Sequence, residues 1–156
     1  MKRKIKKNYL LKNKSIILKP YNEKLVNNSY LALFKNKEIV KFLKIKKKFN
    51  LSDAKYYFKH LFDVNKNYFW FIFKSKKNIG TVSLKSIQNK YFIGYMIGYK
   101  KYWGKKESIY SQNIIIDFAF RILKEKQIYA TCNKKNLSSS FSLIKSGFKL
   151  YKKKNN

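Results

Sequence analysis

The spacing of apolar residues changes several times along the chain, and each change marks a predicted element. Tyr68–Phe73 is apolar without a break and Ile79–Ile87 carries alternating apolar residues, so a polar turn around Lys76–Asn78 is expected to join two strands into a hairpin. Tyr91–Gly98 predicts a third strand, which leads through a basic loop into a long apolar helix beginning near Lys106 and running to about Lys124. Upstream, Ser15–Lys19 reads as a short strand ended by Pro20. Leu25, Val26, Tyr30, Leu33 and Phe34 then fall at helical spacing and predict one helix over Glu23–Phe34. A short helix over Glu38–Leu43 and a basic loop over Lys44–Lys48 follow. Ser52 is the expected N-cap of a helix reaching Phe62, with Tyr57, Phe58, Leu61 and Phe62 turned inward.

Beyond the long helix, Gln127–Cys132 is β-rich, Leu137–Lys145 is helical, and Phe148–Lys152 predicts a last strand. Gly147 suits the left-handed C′ position of a Schellman motif, with Phe148 reaching back to Leu143. Residues 1–14 read as a basic tail and 15–152 as one domain. The order βααα-βββ-α-β-α-β implies an α/β fold: a mixed central sheet of about six strands flanked by helices on both faces.

Composition narrows the function class. Hydrophobic residues make up 45% and aromatics 18%, a globular balance despite a formal charge of +31. No apolar stretch approaches the roughly 18 residues of a membrane span, and the basic N-terminus lacks an apolar signal region, so a cytoplasmic chain without a membrane partner is expected. Cys132 is the only cysteine, which excludes an internal disulfide and leaves no thiolate cluster for a metal. Arg3 and Arg121 are the only arginines, so 36 of the 38 basic residues are lysines, spread along the whole chain. Residues with A/T-rich codons are enriched throughout, which points to biased genome composition more than to a polyanionic partner. Nucleic acid is therefore expected to bind only non-specifically, at low salt.

The chemistry concentrates in Gly94–Phe120. A strand that passes through a Gly-containing basic loop into a helix aims backbone N–H groups and the positive helix end at one point, where a phosphate group would sit. Three segments at matching spacing then resemble the GNAT superfamily of N-acetyltransferases, in particular its ribosomal-protein N-terminal acetyltransferase branch. They are IGYMIGYKKYWGKK (Ile93–Lys106), IIIDFAFRILKEKQIYATCNKKN (Ile114–Asn136), and the pattern N-x-x-S-x-x-x-L-x-K-x-G-F, met by Asn136, Ser139, Leu143, Lys145, Gly147 and Phe148.

The resemblance covers about Ser15–Leu150 and implies a single-domain GNAT-like fold. The co-substrate would be acetyl-CoA, with no metal, and acetyl transfer would be direct, to a small-molecule or protein amine, in a monomer or homodimer. It places the donor between two splayed parallel strands. Main-chain groups of Met96 and Ile97 would hold the pantetheine and acetyl carbonyl, the Ile97 amide acting as oxyanion donor. The loop of Lys101, Tyr102, Trp103, Gly104, Lys105 and Lys106 would take the pyrophosphate. Asn136 and Ser139 would lie near the thiol, with Ser139 hydrogen bonding to the leaving sulfur or donating a proton to it.

The chain departs from the family pattern in three places. Lys106 stands where glycine or alanine is usual, Ile109 and Tyr110 replace Thr-Glu, and the usual last strand is expected to be missing. No carboxylate occupies the usual general-base region, where Phe92 stands. Glu38 is a conceivable base, His60 is expected to be a surface or packing residue, and Asp117 a structural one. The competing expectation is a catalytically impaired GNAT scaffold that binds RNA or the ribosome through its lysines.

Overall fold

The computed structural model describes residues 8–43, 49–63 and 66–151, so the predicted loop Lys44–Lys48 and the end of the predicted last strand lie outside it. Six strands form one sheet in chain order: β1 (Leu11–Lys12), β2 (Ile17–Pro20), β3 (Tyr68–Lys74), β4 (Lys77–Ile87), β5 (Lys90–Ile97) and β6 (Ile128–Ala130). All neighbours pair antiparallel except β5 and β6, which are parallel. The helices are α1 (Asn28–Leu31), α2 (Lys37–Val40), α3 (Leu51–Asp63), α4 (Lys106–Arg121) and α5 (Leu137–Lys145).

The unbroken apolar run of β3 is explained by burial on both faces of the sheet. Tyr68, Trp70 and Ile72 face a core completed by Ile115, Phe118 and Ala119 of α4 and Leu143 of α5. Phe69, Phe71 and Phe73 face the opposite core, completed by Tyr30, Leu33, Ile39, Ala54 and Phe58 from the N-terminal helical segments. At roughly 1.5–3 kcal/mol per fully buried large apolar side chain, this one strand contributes on the order of 10 kcal/mol, an upper bound. The expected α/β class, mixed six-stranded sheet and two helical layers are therefore present.

Several local expectations change. The helix predicted over Glu23–Phe34 is three pieces: a 3-10 turn at Glu23–Leu25, α1, and a second 3-10 turn at Ala32–Lys35. Asparagine divides it. The Asn22 side chain accepts from the Lys24 N–H and that of Asn27 from the Tyr30 N–H, so each starts its own short turn. Asn36 does the same for α2, accepting from Glu38, and that helix ends at Val40 rather than Leu43.

The N-cap of α3 is Asn50, not Ser52. Asn50 Oδ1 accepts from the Asp53 N–H at 2.9 Å, and the Asp53 carboxylate accepts from the Asn50 N–H at 3.2 Å, a reciprocal capping box. Phe58 is buried as expected, but Tyr57 is 45% exposed and its hydroxyl accepts from Lys85.

At the termini, the stretch read as a tail joins the sheet through β1. The Trp70 indole N–H donates to the Tyr9 carbonyl at 2.8 Å, and the Tyr9 ring meets Phe118 edge-on. The predicted last strand is absent over residues 148–151, where Leu150 and Tyr151 are exposed and gain no burial from pairing. Six strands are thus reached with β1 in its place. The α5 terminus is as expected: Gly147 has φ +94°, its N–H donates to Ile144, and the Phe148 N–H donates to Leu143.

Candidate active site

Pairing between β5 and β6 runs only through Tyr91–Ile128, Phe92–Tyr129 and Ile93–Ala130. Beyond Ile93 the two chains part, which is why the β-rich segment Gln127–Cys132 yields only three strand residues. A cleft of about 480 Å³ fills the opening. Its walls come from Gly94–Ile97, the chain after β6, the start of α5, Trp103–Gly104, and Glu38 to Leu43 around α2.

Strand alternation decides which main-chain groups face the gap. The Gly98 N–H donates to the Ile79 carbonyl at 2.8 Å, toward β4. Residues two apart point the same way in an antiparallel ladder, so Met96, opposite Thr81, also turns its N–H and C=O to β4. Tyr95 and Ile97 turn theirs toward the parted edge. The Ile97 carbonyl accepts from the Trp103 indole N–H at 2.8 Å, leaving its amide directed at the cleft. Met96 is among the residues that line the cleft.

The loop after β5 is anchored from both sides. Trp103 holds it to Ile97, and Glu107, which is 2% exposed, pairs with Lys74. Burial alone pushes the Glu107 carboxyl up, but the Lys74 hydrogen bond, its own backbone N–H and the nearby ammonium charges hold it below the ordinary value. The Lys74 ammonium is raised, chiefly by that hydrogen bond, and lies over the Tyr102 ring. The helix start therefore carries no uncompensated negative charge. Lys105, at the α4 N-cap, makes no side-chain capping bond, and Gly104 has φ +62° with open space where a side chain would project. An uncapped helix N-terminus beside an open, positively charged turn suits an anion. Lys101, Lys105 and Lys106 are exposed and, like Tyr102, lie outside the cleft lining, so Lys106 does not plug it.

At the other wall, Asn136 caps α5 by accepting from the Ser139 N–H at 3.1 Å, and both residues line the cleft. The Tyr95 hydroxyl donates to Ser139, 3.0 Å from Oγ and 3.1 Å from its carbonyl oxygen. Burial raises the Tyr95 hydroxyl above its ordinary value, against hydrogen bonding with Ser139, Ser142 and Gln112 that lowers it, so it stays a neutral donor. Ser142 Oγ lies 3.1 Å from Ser108 Oγ and accepts from Gln112 at 2.9 Å, tying α4 to α5 beneath the cleft.

Tyr95 and this polar floor are absent from the sequence reading. A signal existed: Tyr95 shares a strand face with Ile93 and Ile97, so it is the polar residue in an apolar series. Glu38 is the single carboxylate among the lining residues and pairs with Lys100 at 3.1 Å. His60 is exposed and stacks on Tyr56, and Asp117 is an exposed partner of Arg121; neither lines the cleft. Among the described residues no His, Cys, Asp and Glu group could hold a metal, and no helix is long and apolar enough to cross a membrane.

These features match known proteins at two levels. The fold is similar to RimL, the ribosomal L7/L12 alpha-N-protein acetyltransferase, in complex with coenzyme A, with a TM-score of 0.79 at 15% identity over 92% of this chain and 86% of that one. It is similar to ribosomal-protein S5-alanine acetyltransferase from Vibrio fischeri, with a TM-score of 0.74 at 19% identity over 90% and 82%. A third similar structure is the microcin C7 self-immunity acetyltransferase MccE in complex with acetyl-CoA and AMP, with a TM-score of 0.73 at 23% identity over 87% and 79%. At such identities the likeness establishes the fold. No curated protein matches by sequence. A family model described as an acetyltransferase (GNAT) domain, however, matches residues 15–149, and on that match the chain belongs to the GNAT acetyltransferase family.

Proposed function

We propose that this chain, through its domain at 15–152, transfers an acetyl group from acetyl-CoA directly to a primary amine, on a protein N-terminus or an amino sugar. The observation that carries this reading is the parting of β5 from β6, which aims the Ile97 amide into a cleft bordered by Gly104 on one side and Ser139 on the other. The diphosphate would rest on the open start of α4, beside Gly104. Lys101, Lys105 and Lys106 supply a positive field there without entering the cleft.

In the reaction, a neutral amine nitrogen bonds to the acetyl carbon, the C–S bond breaks, and the sulfur leaves as the free thiol. The Ile97 N–H holds the carbonyl oxygen as it becomes negative. Ser139 Oγ–H supplies the sulfur's proton while the neutral Tyr95 hydroxyl donates to Oγ and holds it in place, and Oγ regains a proton from solvent after the thiol leaves. The proton lost by the amine passes through water toward Glu38, at the acceptor mouth. The positive surroundings favour the neutral form of the incoming amine, which lessens the work asked of a base.

The test is acetyl-CoA turnover, read as released thiol, with short peptides of free N-terminus in one arm and amino sugars in the other, and acetylated product identified by mass spectrometry. Product in either arm, lost on blocking the amine, is expected. Acetyl-CoA binding without turnover on either acceptor class would overturn the catalytic reading.

A further inference from the structure

The buried face of α4 changes character partway along the helix. Ser108, Ser111 and Gln112 occupy its first half and Ile115, Phe118 and Ala119 its second, all of them 2% exposed or less. An apolar side chain at position 112 would continue the stripe without any polar cost. Gln112 instead leaves its Oε1 without a hydrogen-bond partner among the described residues, and a buried unmet acceptor is destabilising.

Each serine hydroxyl carries one proton, which fixes the direction of the bonds beneath the cleft. Ser108 Oγ donates to the Lys105 carbonyl at 3.1 Å, so between Ser108 and Ser142, 3.1 Å apart, Ser142 is the donor. With its proton so used, Ser142 Oγ accepts from Gln112 Nε2 at 2.9 Å. The amide therefore presents its NH2, not its oxygen, to α5. At its other end this run of bonds reaches the main chain of the α4 N-cap, next to Gly104.

Gln112 Nε2 carries a second proton. The Tyr95 hydroxyl donates its own to Ser139, 3.0 Å from Oγ, so the phenol oxygen can accept. Hydrogen bonding with Gln112 lowers this hydroxyl, the effect of a donor aimed at its oxygen.

We propose that Gln112 is a positioning residue for acetyl transfer: its two side-chain N–H groups hold the Tyr95 hydroxyl on Ser139 and the Ser142 hydroxyl on Ser108, joining the sulfur end of the cleft to the donor turn. The assignment rests on the acetyl-transfer reading above. The unmet Oε1 follows from this use, because an amide that gives both N–H groups to the floor of the cleft turns its oxygen away from the same partners.

The experiment uses Gln112→Met, which keeps the length of the side chain while removing both donors and the unmet acceptor. Its Tm should stay within roughly 4 °C of wild type, while kcat falls about tenfold. In a Tyr95→Phe background the same change should lower kcat by less than about twofold, because the partner it acts through is gone. A purely structural residue would do the reverse, lowering Tm and leaving the kcat of the folded protein alone. A second measurement needs no turnover: the Gln112 side-chain NH2 signals, assigned by heteronuclear NMR in the wild type, should shift in both Tyr95→Phe and Ser142→Ala. A kcat for Gln112→Met within twofold of wild type, a full tenfold effect persisting without the Tyr95 hydroxyl, or NH2 signals unmoved by either substitution would each overturn the proposal. If the wild type itself fails to turn over, the acetyl-transfer reading falls, and the NMR shifts still decide whether Gln112 holds both hydroxyls.

Discussion

Gly104 is where the donor-binding proposal is most exposed to test. The residue has φ +62° and nothing within 4 Å of where a Cβ would project, so a side chain there meets no protein atom. The intrinsic cost of the left-handed conformation is about 1–2 kcal/mol, with Asn and Asp at the low end because they adopt it most readily. In a chain of 156 residues each kcal/mol lowers Tm by roughly 2–4 °C. Gly104→Asn and Gly104→Asp should therefore melt within a few degrees of each other and of the parent.

The two variants differ in charge alone. A carboxylate about 6 Å from a doubly charged diphosphate, at an effective dielectric constant between those of a protein surface and water, repels it by roughly 2–3 kcal/mol. That is on the order of a 30- to 150-fold loss of affinity. Calorimetric titration with acetyl-CoA should show the Asn variant within about threefold of wild type and the Asp variant weaker by that larger factor. The gap should narrow as salt rises, because this exposed turn is open to counter-ions. Equal affinities for Asn and Asp would mean that the diphosphate does not lie at this turn, and the placement of the donor would fall with it.

Further outcomes follow from the same geometry. Tyr95→Phe removes two hydrogen bonds to Ser139, so stability should fall by about 1–2 kcal/mol and kcat by on the order of 100-fold with KM for acetyl-CoA nearly unchanged; unaltered kcat in both Tyr95→Phe and Ser139→Ala would remove the pair from the mechanism. The depressed Glu107 carboxyl contributes stability above its ordinary value of 4.5 that is lost as pH falls through its lower folded value, and the raised Lys74 contributes stability below 10.5 that is lost as pH rises through its higher one. Thermal melts should therefore show a plateau between those limits, and Glu107→Gln should flatten the acid limb; an identical acid limb in that variant would refute the assignment. Asn50→Ala should cost about 1 kcal/mol in urea unfolding through loss of the capping box, whereas Ser52→Ala should be nearly neutral.

The sequence by itself determined the strands β2 to β6 and the two helical coats, but not β1, which read as tail, nor the lack of a strand over residues 148–151. The six-residue apolar run of β3 can be buried only between two helical layers, and the change from strand to helix period across Gly104 marks where an anion could rest. It also determined α5 and its Gly147 terminus, because a Schellman motif depends on residues within one turn of each other. Short-range polar competition escaped it: Asn22, Asn27 and Asn36 each cap a separate turn, and apolar spacing alone does not register side chains that bind backbone. Only the tertiary structure decided the cleft. How far β6 follows β5 before parting, which face of β5 offers its amides, and that Tyr95 meets Ser139 across 44 residues all depend on register between segments distant in the chain, which no local pattern encodes.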